Sequence, residues 1–121
     1  MAIVECYPLV RVCLNGVKDS IESLSFTDLL VQVISDDMVI LEFSKKWLPE
    51  ADTAKLIEKI LRNNATELKK LHRNTVADWI RLELAVASDN GQGSTLITTA
   101  ILKLLTDIDM ELLVDVYAPV R

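Results

Sequence analysis

Few residues of this 121-residue chain have the type and spacing that catalysis needs. His72 is the only histidine, and it lies between Leu71 and Arg73 on the polar side of a predicted helix. A nucleophile–histidine pair would depend entirely on a contact made by the fold. We expect instead a solvent-exposed histidine near the end of a helix, where the helix dipole favours a positive charge.

The two cysteines, Cys6 and Cys13, are seven residues apart on one predicted strand. An odd spacing places them on opposite faces of that strand, so we expect two reduced thiols and no disulfide between them. Two cysteines and one histidine are also too few ligands for a zinc site. The sequence predicts neither a metal nor a cofactor.

Three carboxylates, Glu42, Glu83 and Asp115, fall on one predicted face of a sheet and could in principle perform acid–base chemistry. The segment GQGST at residues 91–95 precedes a helix, where an anion can bind. It lacks the lysine of a phosphate-binding loop and the third glycine of a dinucleotide fingerprint. Because no nucleophile, base or metal set accompanies these groups, we predict that the chain is not an enzyme.

Charge is unevenly distributed along the chain, whose net charge is −5. Residues 1–44 carry two basic and seven acidic side chains, residues 45–73 carry eight and four, and residues 74–121 carry three and seven. This acidic character disfavours nucleic-acid binding and favours a basic protein partner. The start MAIVECYPLV has no positive region typical of a signal peptide, and no segment has the apolar length of a membrane span. We therefore expect a cytoplasmic protein.

Hydrophobic periodicity predicts one domain over residues 1–121, with elements in the order β-β-β-α-α-β-α-β. Residues 6–15 alternate as a strand, with Pro8 at a sheet edge or at the strand's first position. Two further strands form a hairpin about the turn Ser35-Asp36-Asp37. A helix with Asp52 as its N-cap then ends at Asn63-Asn64, and a second short helix covers residues 65–74.

The last third reads as a strand over residues 76–88, a glycine loop, a helix capped by Ser94 or Thr95 and broken by Asp107 and Asp109, and a strand over residues 110–118. The predicted fold class is α+β: a two-layer sandwich of a mainly antiparallel five-stranded sheet with two to three helices on one face. Four residues of the last two strands are expected to be nearly fully buried beneath the last helix. They are Leu82, Leu84, Val114 and Val116.

The outward face of this sheet is the predicted partner-binding surface, because tryptophan, tyrosine and arginine are common anchors of interfaces. The acidic hairpin turn is expected to steer a basic partner towards it. The predicted binding residues are Trp79, Arg81, Glu83, Asp115, Tyr117, Asp36 and Asp37. Solvated cross-strand charge pairs are the alternative interpretation of the same face.

The span from Trp47 to Tyr117 resembles a family of small bacterial α/β domains of unknown function. The resemblance rests on ADTAKLIEKILRNNATELKKL, WIRLELAVA, the glycine loop, STLITTAILKLLTDI and ELLVDVY. Small acidic domains of this kind are similar to immunity proteins of bacterial toxin systems. The resemblance implies no catalytic residues and implies a role in binding.

Two functional hypotheses follow. The first is an intracellular immunity or antitoxin-like protein that neutralises a basic toxin domain by binding it. The alternative is a small-molecule-binding regulatory domain that uses the sheet face or residues 91–95 as its pocket. The apolar fraction of 50% fits either spare apolar surface for a partner or a second copy, or a leucine-rich core with none to spare. A homodimer is compatible with both functional hypotheses.

Overall fold

The computed structural model describes residues 4–15, 25–74, 76–88 and 95–117. These residues form an α+β fold of six strands and two helices, where the sequence predicted five strands and two to three helices. The elements, in chain order, are β1 (Val4–Leu14), β2 (Leu30–Ser35), β3 (Met38–Glu42), β4 (Leu48–Pro49), α1 (Glu50–Arg73), β5 (Ala77–Ser88), α2 (Thr99–Ile108) and β6 (Glu111–Tyr117).

The strands form one mixed sheet in the order β2-β3-β1-β5-β6, with β4 paired to the start of β1. All pairings are antiparallel except that of β5 with β6, which run parallel and are joined through α2. The longest ladder joins β1 to β5, from Val4 opposite Ser88 to Leu14 opposite Ala77. The sheet is therefore mostly antiparallel, as predicted, and β1 is central in it.

Pro8 lies inside β1, so its predicted place at an edge or at a strand's first position was wrong. On one side of β1, β3 pairs with residues from Leu9 onward and β4 pairs with Glu5 and Cys6. Pro8 falls where the ladder passes from β4 to β3, in a stretch that no described strand pairs with on that side. A proline, which lacks an N–H, is tolerated at such a gap in an otherwise central strand.

One face of the sheet carries the core, because alternate residues of β1, β3 and β5 are buried against both helices. Leu82 and Leu84 are fully buried, as predicted. The helices complete this cluster with apolar residues at helical spacing. Their buried apolar residues are Ile57, Ile60, Leu61, Leu68, Leu71, Ile101, Leu105 and Ile108.

The predicted burial of Val114 and Val116 was wrong: their side chains are 41% and 56% exposed. Both point to the helix side of the sheet, since Val114 pairs with Leu84 and Val116 with Val86 in a parallel register. Alternation identified their face correctly. Both helices contribute their buried side chains to the core at the sheet's centre, and every residue of β6 and of β2, the two edge strands, is exposed.

The predicted break at Asn63-Asn64 was also wrong, because α1 continues through both residues to Arg73. Asn64 is buried and its amide is fully used: Nδ2 donates to the carbonyls of Ile60 and Thr27, each at 2.8 Å, and Oδ1 accepts from the N–H of Thr27 at 2.7 Å. Asparagine disfavours a helix interior by competing for backbone partners. Here the side chain finds those partners in the segment before β2, so it joins that segment to α1.

The helix ends differ from the predicted caps. α1 begins at Glu50 with Pro49 before it, and Asp52 lies within its first turn. α2 begins at Thr99, and the hydroxyl of Thr98 accepts from the N–H of Ile101 at 3.2 Å. Thr95 lies before this helix, and Ser94 lies outside the described residues.

Asp109 ends α2, as predicted. Its φ of 67° is left-handed, and the next N–H, that of Met110, reaches the carbonyl of Leu105 at 2.8 Å. Asp107, also predicted to break the helix, lies inside it. A left-handed residue at the helix end directs the chain straight into β6, which begins two residues later.

The two adjacent asparagines provide a matched test of the Asn64 contact. Asn64→Ala should lower the free energy of unfolding by about 2–4 kcal/mol, because it removes three hydrogen bonds and leaves the Thr27 backbone groups without their partner. Asn63→Ala, on the exposed side of the same helix, should change it by less than about 0.5 kcal/mol. Urea unfolding of both variants measures the difference, and equal losses would contradict the assignment.

Candidate functional site

The candidate site is the sheet face opposite the helices, here called the open face. It carries the odd-numbered residues of β1 and β6, those of β5 from Trp79 onward, and the even-numbered residues of β3. Apart from the exposed Glu5, its side chains on β1, β3 and β5 are half-buried, because they cover one another and neither α1 nor α2 packs over them. The predicted residues Trp79, Arg81, Glu83, Asp115 and Tyr117 all lie on this face.

Glu83 is the centre of a charge network on the open face. Arg11 and Arg81 are direct cross-strand partners, a like-charge pair that would destabilise the ladder if left alone. Glu83 accepts from Arg11 at 2.6 Å (Nε) and 3.1 Å (Nη2), and its carboxylate lies 3.7 Å from Nη1 of Arg81. Arg81 also donates to Glu111 of β6 at 3.0 and 3.1 Å. The solvated cross-strand pairs considered from the sequence are therefore a connected network across three strands.

Trp79 lies at one end of this network. The guanidinium of Arg81 sits 4.2 Å from the centroid of a Trp79 ring, close enough for a cation–π contact. Trp79 pairs with Cys13, which pairs on its other side with Met38. Trp79, Cys13 and Met38 therefore form one row across three strands, and Met38 directly follows the Asp36-Asp37 turn.

The structure brings the acidic turn to the same end of the sheet as Trp79. The carbonyl of Asp37 accepts from the N–H of Leu14 at 2.8 Å, which ties the turn to the end of β1. Asp78, which was not predicted as a binding residue, precedes Trp79 where the register of β1 with β5 shifts, so it departs from the alternation of β5 and is exposed. Burial raises the pKa of the Cys13 thiol, and the nearby charges of Asp78 and Asp37 raise it further. We call Trp79, Arg81, Asp36, Asp37 and Asp78 the acidic end of the open face.

Asp115 and Tyr117 lie at the other end. Asp115 pairs with Ala85 and Tyr117 with Ala87, so Tyr117 is level with a residue eight positions after Trp79. At a rise of about 3.3 Å per residue, that separation is about 26 Å along the strands. The predicted binding residues therefore share a face but form two groups, and one small partner loop could not contact both.

Two aromatic residues and a carboxylate on this face were missed from the sequence. The hydroxyl of Tyr7 donates to Glu42, and the ring of Tyr7 lies 5.7 Å from that of Trp47 at a tilt of 49°. The position of Tyr7 on this face could have been predicted, because Tyr7 and Arg11 are four residues apart on one strand and so point to the same side. Trp47 lies between β3 and β4, where periodicity gives no signal, and Glu111 begins β6.

His72 is placed by the fold against the end of α2. Its Nε2 lies 2.8 Å from the carbonyl oxygen of Asp109, so the ring donates to a backbone group and links the ends of the two helices. The described residues contain no group of three or more potential ligands arranged for a metal ion. Nor does any described helix have the length and apolar character to cross a membrane.

Both cysteines are free and lie on opposite faces of β1, as predicted. Cys6 belongs to the core, and burial raises the pKa of its thiol.

The alternative hypothesis required a ligand pocket on the sheet face or at residues 91–95. Residues 91–94 lie outside the described residues. On the open face, the side chains of neighbouring strands cover one another. Two surface depressions among the described residues lie along the helices, one between Leu48 and the first turns of α1 and one along α2. Small-molecule binding stays a prediction.

No protein family, no curated protein and no solved structure matches the chain. The resemblance to small bacterial α/β domains and immunity proteins therefore stays a prediction.

Glu83 and Glu111 provide a matched pair of tests for the network. Glu83→Gln should lower the free energy of unfolding by about 1–3 kcal/mol, because it leaves two half-buried guanidinium groups facing each other. Glu111→Gln should cost less than about 1 kcal/mol, because that carboxylate is 56% exposed. Adding Arg11→Gln to Glu83→Gln should recover part of the loss in chemical denaturation. Additive losses would mean that Glu83 does not bridge the arginines.

Tyr7 makes stability depend on alkaline pH. Its hydrogen bond to Glu42, followed by burial and the Glu42 charge, raises the pKa of Tyr7 to about 12. The folded protein thus favours the neutral phenol: the stabilisation is complete below the unfolded pKa of about 10 and is lost as pH rises through about 12. Unfolding free energies measured from pH 9 to 12 should fall more steeply for the wild type than for Tyr7→Phe. Tyr117→Phe, which removes an exposed phenol, should retain the wild-type slope.

Proposed function

We propose that this protein is a binding protein rather than an enzyme, and that it acts as an immunity or antitoxin-like protein in the bacterial cytoplasm. It would neutralise a basic toxin domain by occupying it. The observation that carries the proposal is the acidic end of the open face, where Trp79 and Arg81 adjoin Asp36, Asp37 and Asp78. The free thiols Cys6 and Cys13 are compatible with a reducing compartment.

The acidic end combines two properties that binding to a basic surface requires. Its strands are held by ladders on both sides of β1, and the Glu83 network fixes the guanidinium groups, so little ordering entropy would be lost on binding. Trp79 and Arg81 are half-buried side chains of the types that most often anchor interfaces. Partner contacts here would come from residues that are already in position.

The aspartates would act mainly on the rate of encounter. Asp36 and Asp37 are exposed on the hairpin turn, and Asp78 is exposed beside Trp79, within a chain of net charge −5. Acidic groups at the rim of an interface attract a basic partner over a distance near the Debye length, about 8 Å at physiological salt. Affinity for such a partner should therefore fall as salt rises.

The test is binding to the product of the open reading frame next to this one, if it encodes a basic domain. Surface plasmon resonance should show a one-to-one complex whose association is slowed about tenfold by Asp36→Lys with Asp37→Lys, with little change in dissociation. Trp79→Ala should instead speed dissociation about tenfold or more. Tyr117→Ala, at the other end of the same face, is the matched aromatic control and should bind normally.

Two outcomes would count against the proposal. One is a complex whose rates are unchanged by all three variants, which would move the interface off the acidic end. The other is a complex that forms but leaves the partner's toxicity to cells intact, which would remove the neutralising role while keeping the binding role.

A further inference from the structure

The β6 strand presents an unusual edge. Its seven residues pair with β5 without interruption, and none of its residues pairs with another strand of the described chain on its outer side. Its outer N–H and C=O groups are therefore available to another strand. Apolar side chains are exposed on both of its faces: Leu112, Val114 and Val116 on the helix side, Leu113 and Tyr117 on the open side.

The other sheet edge, β2, differs in a way that matters for pairing. It also exposes apolar residues, among them Val31 and Val33. Its ladder with β3, however, shifts register between Val33 and Ser35. An irregular register distorts a strand and makes its edge a poorer template for a further strand. The ladder of β6 with β5 has no register shift.

We propose that β6 pairs antiparallel with β6 of a second copy of this chain, about a two-fold axis at Val114. The symmetry sets every other pair: Leu112 faces Val116 of the second copy, Leu113 faces Asp115, and Glu111 faces Tyr117. On the helix side of this β6–β6 interface, Leu112, Val114 and Val116 of both copies then form a continuous row. All six side chains are apolar and all are exposed in the single chain.

The charges of β6 select this register over its neighbours. A two-fold axis keeps the helices of both copies on the same side of the sheet only when it passes through a residue, and the nearest alternatives are Leu113 and Asp115. An axis at Leu113 would place Glu111 directly opposite Asp115, and an axis at Asp115 would place that carboxylate opposite itself. Like charges directly opposite each other destabilise a ladder. With the axis at Val114, no acidic residue faces another.

This self-complementarity is why a second copy fits the edge better than an unrelated strand. Pairing β6 to β2 of another copy would be head-to-tail and would give an open-ended filament, whereas β6 to β6 closes as a dimer. The β6–β6 interface leaves the acidic end free, since Trp79 lies on β5. The inference therefore does not depend on the proposed toxin partner and is tested with the purified protein alone.

Sedimentation equilibrium tests whether the β6 edge mediates dimerisation. The wild type should show a monomer–dimer equilibrium at protein concentrations up to about 500 µM, which covers dissociation constants well above micromolar. Val114→Lys places two ammonium groups opposite each other and should weaken the dimer at least about tenfold. Val33→Lys is the matched control, because Val33 lies on the same side of the other edge strand and is 45% exposed, against 41% for Val114.

Circular dichroism of the two lysine variants shows whether each is folded. A wild type that stays monomeric over this range overturns the proposal. So does a dimer abolished by Val33→Lys but not by Val114→Lys, or growth into larger polymers.

Disulfide cross-linking tests the register without disturbing charge. In a Cys13→Ser background, Val114→Cys should form a covalent dimer under mild oxidation, because the two thiols meet at the axis. Leu112→Cys or Val116→Cys alone should cross-link poorly, whereas an equal mixture of the two should cross-link well. Efficient cross-linking of Leu112→Cys alone, with none at Val114→Cys, would overturn the register.

Discussion

The pairing of β1 with β5 is the interaction on which the rest of the structure depends. These strands form the longest ladder, and β2 is the one described strand that reaches them only through another strand, β3. β3 and β4 pair with β1, and β6 pairs with β5. Their alternate residues supply the centre of the core, including Val10, Val12, Leu82 and Leu84. A substitution that separated these two strands would remove both the core and the open face.

The same ladder places two arginines directly opposite each other, and the carboxylate of Glu83 offsets their repulsion. Register, rather than sequence proximity, places Arg11 opposite Arg81 on a face that the helices do not cover. The carboxylate of Glu83 lies close to both guanidinium groups, and Glu111 takes the remaining donors of Arg81. Because the network holds these side chains in place, the open face can combine charge with rigidity. A binding role through that face depends on this combination.

The sequence predicted the fold well where one local signal was sufficient. Two-residue alternation located five of the six described strands, all but β4, and assigned Leu82 and Leu84 to the core side. It also placed Val114 on the correct side of the sheet. Burial of Val114, however, depends on whether a helix packs over the edge strand β6, and alternation does not show where the helices lie. The apparent helix stop at Asn64 failed for a related reason, because its partner is the backbone of Thr27, 37 residues away. For the site, strand parity predicted which residues share the open face, while the separation of Trp79 from Tyr117 depends on register.

The sequence distance between β1 and β5 also shapes how the chain must fold. Arg11 and Glu83 are 72 residues apart, whereas the β2–β3 hairpin closes through the two residues Asp36 and Asp37. A hairpin of that kind forms in about 1–10 µs, but the central ladder must first bring distant segments together against the entropy of the intervening chain. Folding dominated by such non-local pairing takes milliseconds to seconds in small domains. The strands that organise the finished sheet are therefore expected to meet late, and the exposed edge strand β2 is expected to acquire its partner early.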